Sequence, residues 1–316
     1  PSGGGSGMRE ALLRWLHRQL GVDVTGAVIE RIGTGHSRAM YRVTLIDGHR
    51  YVVRVEQGGV FGTSGSEEAR VMRGLHAVGF PVANIVAAEP SGTVIGQPFF
   101  VMEHLAAGAM GADERVLDEA TAVEFVKTLH ALHQLEVGGI EFDDVPAAPS
   151  KATPLQVDRW WSVYRSATPT PIPLLEEAAA WLVQHAPPLE RLSVVHGDAG
   201  PGNFVHDGRR IVALTDFEFT HLGDPAEDWS FCLSMRGART MPRARWLELF
   251  AEHAGVSMDD DGWRYWEAFN LFKGACANRT CLTLFERGVN RAPNMAIIGT
   301  TLHQVFLRRL TGIVGA

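Results

Sequence analysis

Three side chains with oxygen donors fall within one short stretch, VVHGDAGPGNFVHDGRRIVALTDFEF, at residues 194–219. Asp198 follows an apolar run, and Asn203 and Asp216 flank a segment that contains the turn dipeptide Asp207-Gly208. If two strands pair across that turn, Asn203 and Asp216 come to the same end of a β-hairpin. Carboxylate and amide oxygens suit Mg²⁺, and a free carboxylate beside them suits a general base for a hydroxyl group. The stretch therefore predicts a metal pair, Asn203 and Asp216, with Asp198 as the base.

The spacing of these residues is more specific than their types. The order Asp-x4-Asn, then Asp-Phe after a hairpin, is the layout of a phosphoryl-transfer site. In such a site the first aspartate orients a hydroxyl, and the asparagine and second aspartate hold Mg²⁺ on nucleotide phosphates. We expect His196, two residues before Asp198, to brace the loop rather than to transfer a proton. A lone HGD or DFE tripeptide is weak evidence, since most aspartates lie at the surface or cap helices.

The segments VVHGDAGPGN and LTDFEFTHLGDPAEDW resemble the aminoglycoside phosphotransferase and choline kinase superfamily. They are most similar to the branch related to the kinase-like N-terminal domains of certain acyl-CoA dehydrogenases, and the resemblance extends over nearly the whole chain from about Val28. It implies a protein-kinase-like bilobal α+β fold, with a small β-rich N-terminal lobe carrying one helix and a larger, mainly helical C-terminal lobe. It also implies a Mg²⁺-dependent kinase that transfers the γ-phosphate of ATP or GTP to a hydroxyl of a small molecule.

The apolar pattern of the chain fits two lobes of this kind. Residues 1–7 are predicted to be a tag or disordered tail, residues 8–107 the nucleotide-clamping lobe, and residues 108–316 the catalytic and acceptor-binding lobe. The predicted elements of the first lobe are a helix at 10–20, strands at 41–46 and 51–55, a helix at 66–78 with Ser66 as N-cap, and two strands within TVIGQPFFVMEHL at 93–105. The predicted helices of the second lobe are 119–135, 155–164, 174–185 and further helices from residue 224 to the end.

The first lobe supplies the parts of a nucleotide clamp in the expected order. Gly33, Gly35 and Ser37 form a Gly-rich loop between two strands, where backbone N–H groups can approach phosphate closely. Arg54 lies on the third strand, where most kinases have lysine, and its guanidinium can hold the α- and β-phosphates. The similarity of EEARVMRGL to the corresponding family segment implies that Glu68, on the next helix, is its partner. The neighbouring Glu67 is the competing choice, because helix phase alone does not separate the two.

The segment PFFVMEHLAAG is predicted to be the last strand of the first lobe and a connecting hinge. Backbone groups of Glu103 and Leu105 are expected to meet the adenine edge. Met102 either lines the back of that pocket or is an ordinary core residue.

Gly200 departs from the family pattern. Many relatives carry His, Lys or Arg two residues after the catalytic aspartate, where a charge can steady the transferred phosphoryl group. With glycine there, we expect Arg54, Mg²⁺ or another basic residue to take that role, or the transfer to be slow.

The bulk composition excludes several classes of function. The net charge of −7 disfavours a general binder of nucleic acid or anionic membranes, and no apolar run approaches the length of a membrane span. The three cysteines show no CxxC spacing and are expected to be reduced core thiols of a cytoplasmic protein. The expected partner is a small molecule with a hydroxyl acceptor.

Two other hypotheses for the function of the site remain open from the sequence. A metal-dependent phosphohydrolase would use ligands from the set His196, Asp198, His206, Asp216 and His221. A nucleotide-binding pseudokinase or interaction module is supported only by Gly200 and Arg54. The residues expected to line an acceptor pocket in the kinase are Trp160, Trp161, Tyr164, Trp263, Tyr265, Trp266, Asn270 and Lys273.

Overall fold

The computed structural model describes residues 4–32, 38–57, 60–105, 109–110, 117–170 and 172–315. Its strands are Val28–Arg31 (β1), Arg38–Thr44 (β2), Arg50–Glu56 (β3), Ile85–Glu89 (β4), Phe99–Glu103 (β5), Ala109–Met110 (β6), Ser193–Val195 (β7), Phe204–His206 (β8), Ile211–Leu214 (β9) and His221–Gly223 (β10). Its helices are Gly4–Leu20 (α1), Gly65–Ala77 (α2), Glu119–His133 (α3), Ala152–Ala167 (α4), Pro173–Gln184 (α5), Ala226–Phe231 (α6), Arg243–Ala254 (α7), Asp260–Glu286 (α8), Pro293–Ile297 (α9) and His303–Val314 (α10).

The N-terminal part is built on a five-stranded antiparallel sheet with the strand order β1-β2-β3-β5-β4. The hairpin β2–β3 turns at Asp47-Gly48, as predicted, and Gly48 takes the positive φ of 86° that such a turn requires. Because β3 lies between β2 and β5, its residues are in the centre of the sheet and not at an exposed edge.

The two faces of this sheet pack differently. Helix α1 packs against one face of the sheet. The core between them includes Leu12, Trp15, Leu16, Tyr51, Val53 and Val55. Since side chains alternate along a strand, Arg54 projects from the opposite face. Met102 shares that face, because Arg54 pairs with Phe100 on β5 and Met102 is two residues further along the same strand. The sheet therefore presents Arg54 and Met102 to the rest of the molecule on its inner side.

Two predicted boundaries in this part are wrong. Helix α1 begins at Gly4 and not at residue 10, so it includes residues 4–7 of the segment predicted to be a tag or disordered tail. Helix α2 is capped by Ser64, whose side chain accepts a hydrogen bond of 3.2 Å from the N–H of Ser66. The predicted N-cap, Ser66, lies in the first turn of the helix, because Ser64 already has the extended backbone of a cap.

One predicted strand is also wrong. Residues 93–95 lie in a turn region between Gly92 and Gly96, both of which have positive φ angles. The strand that completes the sheet is β4, which the sequence pattern did not indicate. The second strand predicted in this segment, β5, is confirmed.

The C-terminal part is mainly helical, and short strands flank the loop that contains Asp198. Helix α8 runs for 27 residues and is buried along most of its length against α4, α6 and α10. Strands β8 and β9 form the predicted hairpin, while β7 pairs with β10. The cysteines of the chain are free and buried: Cys232, Cys276 and Cys281. Among the described helices, none is both long and apolar enough to cross a membrane.

Candidate active site

The loop that follows β7 is held in place by Asp228 of helix α6. This fully buried carboxylate accepts hydrogen bonds from the backbone N–H groups of His196 and Gly197, each 2.8 Å long, and contacts Nε2 of His133 at 2.9 Å. Burial by itself would raise the pKa of Asp228, but the hydrogen bond and charge of His133 outweigh it and lower the pKa. Helix α6 thus holds the start of the loop through an ionised aspartate, both of whose oxygens are in hydrogen bonds.

His196 is a brace within the loop. Its Nε2 lies 2.9 Å from the carbonyl oxygen of Thr215, and the N–H of Asp198 points at its Nδ1 at 3.3 Å. An imidazole that donates from one nitrogen and accepts at the other is neutral, and burial lowers the pKa of His196 accordingly. The ring ties the segment before Asp216 to the loop that carries Asp198.

The carboxylate of Asp198 is oriented by two side chains. Asn203 donates from Nδ2 to Oδ2 of Asp198 and to its backbone oxygen, both at 2.8 Å. Arg236, from the turn after α6, donates from Nε to Oδ1 at 2.9 Å and from Nη2 to Oδ2. An ionised carboxylate accepts about four hydrogen bonds, two on each oxygen. These contacts leave one acceptor position, on Oδ1, for an incoming hydroxyl.

Asn203 and Asp216 lie at the same end of the β8–β9 hairpin. Phe204 pairs with Leu214, and the N–H of Thr215 donates to the carbonyl oxygen of Asn203 at 2.9 Å. Asp216 follows with a left-handed backbone, φ 69° and ψ 58°, which is rare for a residue other than glycine and is found at functional sites. The amide of Asn203 uses its nitrogen on Asp198, so its oxygen and the Asp216 carboxylate are the donors that fit Mg²⁺.

Arg54 reaches Asp216 from the sheet. Its guanidinium lies 3.3 Å from Oε1 of Glu68 and forms a short ion pair with Oδ1 of Asp216. Burial alone would lower the pKa of Arg54 and raise that of Asp216; their mutual attraction, with Glu68 acting on Arg54, reverses both shifts. The competing residue, Glu67, pairs instead with Arg159 at 3.5 Å. The structure therefore selects Glu68 as the partner of Arg54.

Besides Arg236, two further charged residues at the site were not indicated by the sequence. Arg38, 2% exposed on β2, lies 3.9 Å from Glu68 and 3.9 Å from Glu218. Glu218 belongs to the Asp-Phe-Glu motif, and burial, together with the charge of Asp216, raises its pKa to about 8. Neither residue had a distinctive spacing, since each acquires its partners only when the sheet packs on the segment 216–219.

The structure describes some, but not all, of the residues that are predicted to contact the nucleotide. Met102 is half-buried on the same sheet face as Arg54, Glu103 is exposed and Leu105 is half-buried. The N–H of Glu103 donates to Asn84 at 3.0 Å, which leaves its carbonyl oxygen as the backbone group to offer an adenine edge. The predicted phosphate loop, with Gly33, Gly35 and Ser37, lies outside the described residues.

Comparison with known proteins decides the family. Residues 28–269 match the model of the phosphotransferase enzyme family. The chain belongs to this family. The resemblance inferred from the motifs and the expectation of a phosphotransferase are thereby confirmed.

Individual relatives and solved structures agree with the resemblance inferred from the motifs. Mouse acyl-CoA dehydrogenase family member 10 is 26% identical over 84% of the chain and 27% of its own length. The chain spans about a quarter to a third of the length of the curated relatives it matches. A choline/ethanolamine kinase family protein from Mesorhizobium loti has a TM-score of 0.65 with 15% identity, covering 98% of both chains. An aminoglycoside phosphotransferase in ternary complex with AMP-PNP and hygromycin B has a TM-score of 0.62 with 14% identity, covering 97% of this chain and 99% of that one. These structures confirm the bilobal kinase-like fold.

The residues predicted to line an acceptor pocket of the phosphotransferase do not form an open surface. All of them except Trp161 are buried. Lys273 in particular donates to Glu227 and to the carbonyl oxygen of Gly197, both at 2.6 Å. It supports the loop that carries Asp198 and is not free to bind an acceptor.

A separate cavity lies away from the residues of this site. It has a volume of about 630 Å³ and is lined mainly by the end of α4 and by α8 and α10, including Tyr164, Arg279 and Leu282. Lys273 of α8 faces the loop of Asp198, and Leu282 projects about 180° away from it around the helix. Tyr164, one of the residues expected to line an acceptor pocket, lines this cavity, whereas Asp198, Asn203, Asp216 and Arg54 do not.

Proposed function

We propose that this phosphotransferase is a Mg²⁺-dependent small-molecule kinase that uses ATP or GTP. The arrangement around Asp198 carries the proposal: an oriented carboxylate with one acceptor position open, beside the oxygen pair of Asn203 and Asp216 and opposite Arg54. The aminoglycoside phosphotransferase solved with AMP-PNP and hygromycin B binds a nucleotide analogue and a small molecule in the same fold.

In the proposed reaction, the hydroxyl oxygen of the acceptor attacks the γ-phosphorus while the bond from that phosphorus to the β-bridging oxygen breaks. The hydroxyl proton passes to Oδ1 of Asp198, and a nucleoside diphosphate leaves. Asn203 and Asp216 would hold Mg²⁺, which when bound neutralises charge on the phosphate oxygens. Arg54, kept ionised by Glu68, would position the α- and β-phosphates. Gly33, Gly35 and Ser37 would cover those phosphates, and Glu103 and Leu105 would meet the base.

The geometry favours this reaction over a phosphohydrolase. Both ring nitrogens of His196 are in hydrogen bonds, and His221 contacts the carbonyl oxygen of Phe219 at 3.0 Å and Glu227 at 3.2 Å. These imidazoles have no nitrogen free for a metal. Within the part of the chain that the structure describes, no three His, Cys, Asp or Glu side chains are grouped to hold an ion.

Substitutions at two aspartates test the proposal. We expect Asp198→Asn to abolish transfer, by at least about a hundredfold, while binding of Mg·ATP is kept. Asp216→Asn should weaken Mg²⁺-dependent nucleotide binding. Nucleotide binding is measured by thermal shift, and ATP consumption is measured over a library of alcohols. Asp207→Asn, at the exposed turn of the same hairpin, is the matched control.

The outcomes separate the hypotheses. Absence of Mg·nucleotide binding by the wild-type protein would rule out the kinase. Tight binding without consumption for any acceptor would favour a nucleotide-binding module. We place the reaction in the cytoplasm, which suits a protein whose cysteines are free thiols.

A further inference from the structure

Arg236 occupies the space that a side chain at position 200 would need. Gly200 has a φ of 142°, and a Cβ atom built there would lie 2.7 Å from Cβ and 3.2 Å from Cδ of Arg236. A side chain at position 200 and Arg236 in its present position exclude each other. Glycine at position 200 therefore leaves room for the side chain of Arg236, which brings a cation to Asp198 from outside the loop.

The backbone that carries Arg236 is held rigidly. Residues 232–236 form a π-helical turn, a rare element that is frequent at functional sites. The next residue, Gly237, accepts a hydrogen bond of 3.0 Å from Nε1 of Trp246, and a Cβ atom at Gly237 would lie 2.7 Å from that nitrogen. Trp246 is fully buried. The position of Arg236 is thus set by core packing and not by a loose surface loop.

The guanidinium of Arg236 pairs with Asp198 and interacts through its charge with Asp216. Its ion pair with Asp198 uses one N–H of Nε and one of Nη2 out of the five that a guanidinium carries. Burial would lower the pKa of Arg236, but Asp198, with a further contribution from Asp216, raises it. The side chains of Arg236 and Asp216 remain 29% and 31% exposed, so both face open space where a ligand can reach them.

We propose that Arg236 is the cation of the phosphoryl-transfer step, a role that rests on the proposed kinase function. Its fork holds the Asp198 carboxylate with one acceptor position of Oδ1 directed to the hydroxyl, and its remaining N–H groups bind the transferred phosphoryl group. A cation here stabilises the charge that gathers on the phosphoryl oxygens as the bond to the leaving group breaks. Arg54 cannot take this place while it holds Asp216 and Glu68.

A comparison of two nucleotides tests the direct contact. We expect Arg236→Gln to weaken binding of Mg·AMP-PNP, which has a γ-phosphate, by at least about tenfold relative to Mg·ADP, because a charge-assisted hydrogen bond is lost. Arg236→Lys keeps a point charge and should restore part of the difference. Arg239→Gln, at an exposed arginine of the same segment, should leave the affinity ratio unchanged. Calorimetry on the full chain gives both dissociation constants.

The same substitution in an Asp198→Asn background separates binding from support of the loop. Asp198→Asn removes the carboxylate that Arg236→Gln would leave unpaired, so the double variant is protected against misfolding from that cause. If Arg236 touches the phosphoryl group, Arg236→Gln lowers the Mg·AMP-PNP to Mg·ADP affinity ratio in this background too. An unchanged ratio in both backgrounds, with wild-type binding of both nucleotides intact, would overturn the assignment and leave the kinase proposal standing. Failure of the wild-type protein to bind either nucleotide would overturn both.

Discussion

Each carboxylate at the candidate site has a different balance of neighbours. Asp198 contacts Arg236 and Asn203, and Asp216 pairs with Arg54, which outweighs burial and lowers the pKa of Asp216. Glu218 is the exception. It is buried near Asp216, and its nearest cation, Arg38, is 3.9 Å away.

This difference predicts that Glu218 makes the free energy of unfolding depend on pH. Folding raises its pKa from 4.5 to about 8, because burial and the charges of Asp216 and Glu68 outweigh Arg54 and Arg38. The folded protein keeps a proton at pH values where the unfolded chain has lost it, so this contribution to the free energy of unfolding falls as pH rises from about 4.5 to about 8. We expect Glu218→Gln, which stays neutral at every pH, to melt higher than the wild type at pH 6 and by a wider margin at pH 8 to 9, at roughly 2–4 °C per kcal/mol.

Melting curves between pH 6 and 9 measure this difference directly. Glu190→Gln, at an exposed glutamate, is the control and should track the wild type at every pH. A gap between Glu218→Gln and the wild type that does not change with pH would contradict the prediction.

At the scale of elements, the loop of Asp198 and the segment 217–219 approach so closely that only glycine fits between them. A Cβ atom at Gly197 would overlap the carbonyl oxygen of Phe219 and lie 2.9 Å from its Cβ. Gly208, at the tip of the β8–β9 hairpin, has a similar positive φ, 85° against 80°, but nothing lies within 4 Å of a Cβ built there. Comparing substitutions at Gly197 and Gly208 therefore separates the cost of backbone strain from the cost of steric overlap.

Alanine at each of these glycines should therefore have different effects. Both substitutions incur the penalty of a left-handed backbone, about 1 kcal/mol, and only Gly197→Ala must also displace Phe219. We expect Gly208→Ala to lose about 1 kcal/mol and Gly197→Ala at least about 2–3 kcal/mol more, with loss of phosphoryl transfer in the latter. Urea unfolding supplies the free energies. Equal destabilisation by the two substitutions would show that the loop can move away from Phe219.

The elements that could be predicted from sequence are those with local signals. The β8–β9 hairpin has its turn dipeptide, and the helix at 119–133 has a regular apolar period. Strand β4 was missed because its sequence, IVAAE, contains two alanines, and residues 93–95 were mistaken for a strand because they are β-branched. The side chains of Arg236 and Arg38 could not be placed at the site, since their partners come from distant segments and no spacing links them.

At the scale of the whole molecule, ion pairs join the N-terminal sheet to the segment after β9. Arg54 on β3 pairs with Asp216, and Arg38 on β2 lies near Glu218. The same Arg54 and Asp216 are the groups that the proposed function assigns to phosphate and Mg²⁺. Nucleotide binding therefore has to share or replace a contact that already connects the two parts of the protein.

Removing the charge of Arg54 should affect both the empty protein and its response to nucleotide. Arg54→Met leaves Glu68, which is fully buried, without its nearer cation, and we expect a loss of about 3–5 kcal/mol in the free energy of unfolding. A ligand present at a hundred times its dissociation constant stabilises a protein by about 2.7 kcal/mol, and Arg54→Met should lose most of this gain with Mg·ATP. Arg54→Lys, which keeps a charge, should fold better and retain part of the response.

Thermal melting with and without Mg·ATP separates the two effects of Arg54. Arg210→Met, at an arginine whose side chain is 77% exposed, should reproduce the wild type in both conditions. A nucleotide-induced rise in Arg54→Met equal to that of the wild type would mean that Arg54 serves only to join the sheet to Asp216. A reduced rise with Arg54→Met, partly restored with Arg54→Lys, would place the same guanidinium in two competing roles, because its bond to Asp216 must then open for the phosphates to bind.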